Sequence, residues 1–285
     1  MQRQFRNCAH SLITGEAMYL KKLLASFAAI ALVGTAAQAI AQSATDEINK
    51  YREMISDGNP AELYEADGEG LWKTPAGPKN ATLEKCDLGL GAGVVKGAAA
   101  QLPRYFKDTG KVQDLESRLM TCMETLQGID PKEIIAAPFG KGAKKSIEAV
   151  VAYVVTNSRD MKINVVPKHP KEKEMYELGK HAFYYRGGVM DFACASCHDD
   201  AKKRIRLQDL PDITSQKGAA LAWGFWPAYR VSSGEFWTMQ RRINDCYRQQ
   251  RFPFPIYGSD VTIALSMYMA ANANGGVVKT PGLKR

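Results

Sequence analysis

Residues 194–198 of this 285-residue chain read Cys-Ala-Ser-Cys-His, the attachment signal for a c-type haem. Two thiols three positions apart on one helical turn can each add to one of the two haem vinyl groups. The imidazole of His198 then lies under the iron as its proximal ligand. Zinc or dithiol redox chemistry is the alternative for a CxxC pair. The adjacent histidine, a secretory signal and the lack of a second CxxC argue against both, so the motif predicts one covalently bound haem.

The first 41 residues have the pattern of a secretory signal peptide with an extension before it. Met18 is an alternative start, because residues 1–17 fit neither a signal nor a domain. A basic pair, a short apolar run and a small-residue cleavage site follow it: Lys21-Lys22, residues 23–33 and Ala37-Gln38-Ala39. The apolar run is too short to span a membrane comfortably. We therefore expect an exported chain in a bacterial periplasm, with no membrane span after cleavage.

Length and charge narrow the classes of function. The exported part, of ~245 residues, suits one or two domains. The formal net charge is +8, and residues 1–39 contain four basic residues and one acidic residue, so their removal lowers it to +5. This mild excess favours small anions or an acidic partner. The sequence has no nucleic-acid-binding motif and no interleaved basic and aromatic stripe, which argues against a nucleic-acid partner.

Apolar residues at helical spacing predict a mainly α protein without alternating strands of any length. Residues 158–171, with two prolines, read as a linker between two halves. The predicted helices cover residues 46–56, 61–67, 114–126, 146–157, 171–181, 236–243 and 260–271, with a looser helical segment over 89–100.

An internal repeat appears when the chain is shifted by 124 residues. A second shift, of 112 residues, places residues 62–65 on 174–177, and the last apolar helices of the two halves also correspond. We therefore predict two tandem cytochrome c-like modules, at about 45–160 and 170–285, with haem only in the second. Five residue pairs match at the shift of 124: Pro103 and Pro227, Tyr105 and Tyr229, Gly110 and Gly234, Arg118 and Arg242, Cys122 and Cys246.

Residues 86–90 (Cys-Asp-Leu-Gly-Leu) stand where the first module would carry its haem motif. Gly89 and Leu90 replace the second cysteine and the histidine, so this module cannot hold haem in the usual way. Cys86 and Cys122 are then expected to lie together, near the position that the iron occupies in a haem-binding module. An oxidising compartment favours a disulfide between them over two buried thiols.

The sequence leaves open which residue binds the iron opposite His198. Cys246 is the cysteine that remains after haem attachment and the disulfide. Arg242 lies one helical turn before it, where a guanidinium lowers the pKa of a thiol and can bind a tetrahedral oxyanion. From the residues alone, a buried structural thiol explains Cys246 equally well. The candidate ligands are Met239, Met267, Met269, His169, His181 and Cys246.

Together these features resemble the SoxA family, the larger subunits of the SoxAX cytochrome complexes of sulfur-oxidising bacteria. The resemblance covers essentially the whole exported chain and rests on the repeat, the motif at 194–198 and Arg242 four residues before Cys246. It implies a catalytic haem with His198 and Cys246 as axial ligands, Cys246 as a persulfide, and Arg242 in contact with the substrate anion. Some members carry a second haem in the first module, whereas Gly89 makes this sequence similar to the single-haem type.

The resemblance also implies the reaction and the partners. The activity would be that of an L-cysteine S-thiosulfotransferase, which couples thiosulfate oxidatively to a cysteine of the carrier SoxYZ and gives a cysteine S-thiosulfonate. A SoxX-like cytochrome c subunit would complete a heterodimer and receive electrons. The alternative is a plain periplasmic electron-transfer c-type cytochrome with a methionine ligand, which leaves the Arg242–Cys246 pair unexplained. A di-haem peroxidase needs two CxxCH motifs, and the sequence has one.

Overall fold

The computed structural model describes residues 58–205 and 208–284, together with four helical positions before them, Glu47, Lys50, Tyr51 and Met54. The predicted signal peptide and most of the predicted helix at 46–56 lie outside the described residues. Residues 54–285 form one compact unit, and residues 1–53 form another. The fold described below is that of the larger unit.

The described part of this unit consists mainly of helices, with short strands between some of them. The helices are α1 (Ala61–Lys73), α2 (Leu115–Cys122), α3 (Pro131–Ala136), α4 (Gly142–Thr156), α5 (Pro170–Tyr184), α6 (Cys194–His198), α7 (Gln216–Trp223), α8 (Met239–Gln249) and α9 (Asp260–Asn272). The strands are β1 (Arg104–Phe106), β2 (Lys111–Gln113), β3 (Arg204–Ile205), β4 (Gln208–Asp209), β5 (Ala228–Arg230), β6 (Glu235–Trp237) and β7 (Gly282–Lys284).

The prediction of a mainly helical protein is confirmed, because each of these strands has only two or three residues. The strands form two hairpins, β1–β2 and β3–β4, and a three-stranded sheet in the order β6-β5-β7. A single turn of π-helix, Met123–Gln127, extends α2. None of the helices in the described ranges is long and apolar enough to cross a bilayer.

Several predicted helices differ in extent from the observed ones: the helix predicted over 61–67 continues to Lys73, and the one predicted from residue 146 begins at Gly142. The segment 89–100 consists of turns, bends and the start of a 3-10 helix, Ala99–Gln101, because Gly89, Gly91 and Gly93 adopt positive φ angles, which an α-helix does not allow. The helix predicted from residue 236 begins at Met239. The two residues before its N-cap belong to β6, and Thr238 caps the helix by accepting a hydrogen bond from the Arg241 N–H.

The same hairpin and helix occur twice, 124 residues apart. Hairpin β1–β2 followed by α2 matches hairpin β5–β6 followed by α8, residue for residue in register. Pro103 and Pro227 both follow cis peptide bonds, and Gly110 and Gly234 both have φ near 65° in the hairpin turns. Glycine adopts this left-handed conformation without strain, which explains its place in both turns.

A close helix crossing also occurs twice, between α1 and α4 and between α5 and α9. A Cβ atom on Gly68 would lie 2.0 Å from the carbonyl oxygen of Ala149, and one on Gly179 would lie 1.9 Å from that of Ala264. Glycine is therefore required at both crossings. The two glycines are 111 residues apart, one less than the shift of 112 at which residues 62–65 match residues 174–177.

Buried polar side chains join the repeated helices α2 and α8. The Gln240 backbone N–H donates to Glu116 Oε2 at 3.0 Å, and the Gln240 side-chain amide donates to Asp114 Oδ2 at 2.7 Å. The Gly258 N–H donates in turn to Gln240 Oε1 at 2.6 Å. Burial, followed by the negative charge of Asp114, raises the pKa of Glu116 to about 8. This carboxyl group is therefore mainly protonated at neutral pH.

The predicted disulfide is confirmed. Cys86 and Cys122 are bonded, with their Cα atoms 5.5 Å apart, and both residues are buried. The bond connects the turn that replaces a haem motif to the C-terminal end of α2. It closes a loop with a sequence separation of 36 residues.

Replacing both Cys86 and Cys122 with alanine should lower the free energy of unfolding by about 4 kcal/mol, because the cross-link restricts the unfolded chain. Chemical denaturation with and without reductant measures this difference. Reductant should shift the midpoint of the wild type and leave the double variant unchanged. Equal stability of the two proteins under oxidising conditions would contradict the prediction.

Candidate functional site

The five residues of the haem motif form α6, a single helical turn. Ser196 fixes its start, since the Ala193 N–H donates to Ser196 Oγ at 2.9 Å. Cys194 and Cys197 are three positions apart and His198 ends the turn, as thioether attachment to a haem requires. Both thiols are only partly exposed and neither forms a disulfide.

A second hydrogen bond orients His198. Its Nδ1 lies 2.9 Å from the carbonyl oxygen of Pro211, and the Ile213 N–H donates to the His198 carbonyl oxygen at 2.8 Å. The carbonyl of Pro211 can only accept, so Nδ1 carries the proton and Nε2 keeps its lone pair. This is the arrangement in which a histidine binds a metal through Nε2.

Helix α8 places Cys246 beside His198. Burial raises the pKa of the Cys246 thiol, but the positive charge of Arg242, followed by the nearby His198, outweighs it. The net pKa lies below the usual value for cysteine, which favours the thiolate. The structure thus brings together Cys194, Cys197, His198 and Cys246: the first three form the haem motif, and the family resemblance adds the fourth. Ligation of iron by His198 and Cys246 stays a prediction.

The other candidate ligands have structural surroundings of their own. His169 caps α5 and stacks on Tyr105 with 3.8 Å between ring centroids, and His181 lies against Tyr185. Met267 packs in a different apolar cluster from the haem motif. Met239 and Met269 are buried in the same cluster as the motif and are the two methionines near it.

An apolar wall surrounds the motif. Residues from five helices form it, and Trp223 at the end of α7 and Trp226 after it pack against it. This wall, two thiols on one turn and a histidine with its Nδ1 already bonded fit a c-type haem. The wall consists of Phe183, Ala193, Ala195, Ile213, Ala222, Met239, Ile243, Leu265, Tyr268 and Met269, with Trp223, Trp226 and Tyr247 packed against it.

A charged cluster lies beside Cys246. Asp245, with its side chain 7% exposed, accepts hydrogen bonds from Arg242 at 2.9 Å and from Arg248 at 3.0 and 2.7 Å. Arg230 of β5 lies 3.4 Å from the same carboxylate. Burial raises the pKa of Asp245, but the Arg248 hydrogen bond and the charge of Arg242 lower it more, so the carboxyl group stays ionised.

Sequence reasoning found Arg242 but missed Asp245, Arg230 and Arg248. The spacing of three residues between Asp245 and each helical arginine was a usable signal, because such pairs meet on one helix face. Nothing in the sequence pointed to Arg230, which reaches the cluster from a strand. Its guanidinium also lies 4.2 Å from the ring centroid of Trp237.

The chain aligns over nearly its whole length with curated proteins of one family. It is 58% identical over 273 residues to the L-cysteine S-thiosulfotransferase subunit SoxA of Hydrogenophilus thermoluteolus, with 93% of this chain and 100% of that protein covered. The chain belongs to the SoxA family. A protein of the same name from Hydrogenobacter thermophilus is 36% identical, with 94% of this chain and 98% of that protein covered.

Two further comparisons concern the cytochrome c domain and the fold of the chain. A family model described as SoxA/TsdA, cytochrome c domain, matches residues 67–163. The crystal structure of SoxXA from P. pantotrophus has the same fold, with a TM-score of 0.68 at 23% identity, covering 83% of this chain and 84% of that chain. The resemblance found in the sequence is thereby confirmed, and the SoxA membership implies a c-type haem.

Proposed function

We propose that this chain is the catalytic subunit of a thiosulfate-oxidising cytochrome complex and joins thiosulfate to a cysteine of a carrier protein. One observation carries the proposal: Cys246 lies against His198 of a haem motif, with Arg242 one turn away on the same helix. A plain electron-transfer cytochrome needs neither the thiol nor the arginine at this place. The function in the name of the 58%-identical relative is the same reaction.

The chain's own residues would hold one haem. Cys194 and Cys197 would form the thioethers, while His198 and Cys246 would bind the iron. When bound, the haem supplies one-electron redox chemistry. Pro211 keeps the His198 Nε2 lone pair available, and the apolar wall excludes water from the site.

The residues suggest a reaction in two steps, and the atoms and electrons of each step balance. The Cys246 thiolate and the sulfane sulfur of thiosulfate form a sulfur–sulfur bond, and two electrons leave to a cytochrome acceptor. The thiolate of the carrier then attacks the sulfane sulfur, takes over the thiosulfonate group and releases Cys246 as a thiolate. A persulfide on Cys246 would react in the same way through its outer sulfur. Arg242 binds the sulfonate oxygens through its planar guanidinium and offsets their charge.

The two halves of the chain would be two tandem cytochrome c-like modules, with haem only in the second. The repeated hairpin, helix and glycine crossing support this interpretation. The cytochrome c family match at 67–163 supports it independently, because it falls on the half without a CxxCH motif. Gly89 and Leu90 stand where a haem-binding module has its second cysteine and its histidine.

The partners follow from the proposed reaction. A SoxX-like cytochrome c would form a heterodimer with this chain and accept electrons, in line with the SoxXA structure of P. pantotrophus. A SoxYZ-like carrier would present the cysteine that receives thiosulfate. We place the complex in the periplasm, on the grounds of the N-terminal signal pattern and the disulfide between Cys86 and Cys122.

Replacing Arg242 with alanine tests the proposal. The value of kcat/KM for thiosulfate should fall by about 10- to 100-fold, the effect of losing hydrogen bonds to a charged group. Haem content, measured by pyridine haemochrome absorbance, should not change. Arg204→Ala on hairpin β3–β4 is the matched control and should keep full activity. Unchanged turnover in the Arg242 variant would refute the role of this residue in binding the anion.

A further inference from the structure

The internal repeat offers a way to separate residues that the fold needs from residues that the site needs. A residue required by the hairpin and the following helix is expected in both halves. Arg118 and Arg242 occupy matching positions, as do Cys122 and Cys246, so the comparison does not separate fold from chemistry at these two positions. A residue found only in the half that carries the CxxCH motif is a candidate for a role in the chemistry.

The three partners of Arg242 in the charged cluster occur only in the second half. At the shift of 124, Asp245 falls on Thr121, Arg230 on Phe106 and Arg248 on Glu124.

Arg118 has entirely different partners in the first half. It pairs at 2.8 Å with Asp108, donates to the backbone carbonyl of Asp87 at 2.6 Å and lies over Phe106. The same hairpin and helix therefore fold without the cluster that surrounds Arg242.

We propose that Asp245 is a positioning residue that holds Arg230, Arg242 and Arg248 as a binding site for a small dianion beside the Cys246 sulfur. This inference rests on the proposed function and names the charge class of its substrate. Three guanidinium groups face one carboxylate, so the cluster keeps an excess of positive charge even beside a Cys246 thiolate. This excess attracts a small tetrahedral anion, and thiosulfate, with two negative charges, is attracted more strongly than a monoanion.

The geometry shows why one carboxylate can position three arginines. Asp245 Oδ1 accepts two hydrogen bonds from Arg248, while Oδ2 accepts from Arg242, Arg230 and the side-chain amide of Gln249, the last at 2.9 Å. Without this carboxylate the guanidinium groups of Arg230 and Arg242 would repel each other and turn apart. The ring of Trp226, 5.6 Å from the Arg242 guanidinium, would not hold that arginine by itself.

The variant Asp245→Asn tests the positioning role because two explanations predict opposite signs. If Asp245 acted only through its charge, its loss would raise the local charge and tighten the binding of a dianion. If it positions the arginines, its loss weakens binding. We therefore expect the dissociation constant for sulfate, an unreactive tetrahedral dianion, to rise by about tenfold or more. The KM for thiosulfate should rise in parallel while kcat changes little.

The experiment uses the haem-loaded complex with its cytochrome partner. Isothermal titration calorimetry with sodium sulfate at constant ionic strength gives the dissociation constant, and steady-state assays give KM and kcat. Asp245→Glu keeps the charge and should restore part of the affinity. Asp108→Asn, which breaks the ion pair of the first half, is the matched control and should change none of these values. If Asp245→Asn folds poorly, Arg248→Gln should still raise the sulfate dissociation constant at unchanged kcat.

Tighter or unchanged sulfate binding in Asp245→Asn would overturn the inference, and so would a loss of kcat alone. The outcome is separable from that of the proposed function. Suppose that the wild-type complex binds sulfate, that Asp245→Asn binds it more weakly, and that neither complex turns over thiosulfate. This result would refute the proposed function but support the positioning role. If the complex oxidises thiosulfate equally well with and without Asp245, the proposed function is supported and the positioning role is refuted.

Discussion

Replacing Cys246 with alanine is expected to abolish thiosulfate coupling, with turnover lower by at least about 10³-fold. The proposed reaction forms its first sulfur–sulfur bond on this thiol, and no other described cysteine can take over. Cys86 and Cys122 form a disulfide, while Cys194 and Cys197 belong to the haem motif. Thiosulfate-dependent reduction of the cytochrome partner, in the presence of carrier, measures the loss.

The matched control for this variant is Met239→Leu. Met239 is buried in the same apolar cluster as the motif and is one of the candidate methionine ligands of a plain electron-transfer cytochrome. We expect Met239→Leu to keep both its haem spectrum and its activity. Peptide mapping of the wild type by mass spectrometry should find one haem and an additional sulfur on Cys246. If instead Cys246→Ala stayed active and Met239→Leu lost its axial ligand spectrum, Cys246 would be neither the reacting thiol nor an iron ligand. Absence of any thiosulfate coupling in the wild type, together with that spectral loss, would make the chain a plain electron-transfer cytochrome.

Stability is expected to fall as the pH rises from about 5 to 8, and Glu116→Gln should remove much of this dependence. The pKa of Glu116 is raised from 4.5 to about 8 in the folded chain, so between these values the folded chain holds a proton that the unfolded chain has released. Stability therefore decreases with increasing pH across this range. At about 1.4 kcal/mol per pKa unit, the loss amounts to at most about 5 kcal/mol.

Urea denaturation at several pH values checks this prediction. Glu148, whose pKa burial raises to about 7, adds to the slope in the wild type, so the Glu116→Gln variant should be flatter but not flat. Glu62→Gln, an exposed carboxylate in the first turn of α1, is the control and should follow the wild type. A slope that is the same in wild type and Glu116→Gln would show that the folded chain carries Glu116 ionised.

The sequence predicted those features that depend on spacing along the chain. The haem motif on one turn, Arg242 one turn before Cys246, and the Cys86–Cys122 disulfide all follow from residue type and separation. The shift of 124 also located hairpins that were too short to recognise as strands. Repetition thus revealed elements that local periodicity could not.

Features that depend on contacts between distant segments were missed. Arg230 reaches Asp245 from a strand 15 residues earlier, and the Glu116–Gln240 contact joins residues 124 apart. The prediction of a helix at 89–100 failed for a different reason. Its small residues fit helical spacing, but its glycines take left-handed angles that fix a compact turn around the disulfide.

The Cys86–Cys122 disulfide also gives the two halves of the chain different requirements for reaching their final form. In the repeat, Cys86 corresponds to Cys194 and Cys122 to Cys246, so the bond joins two points that flank the proposed haem in the other half. Under the proposed function, an oxidant alone would close the first half, whereas the second half would also need its haem. The two halves therefore differ in what completes them, although buried hydrogen bonds join their matching helices α2 and α8.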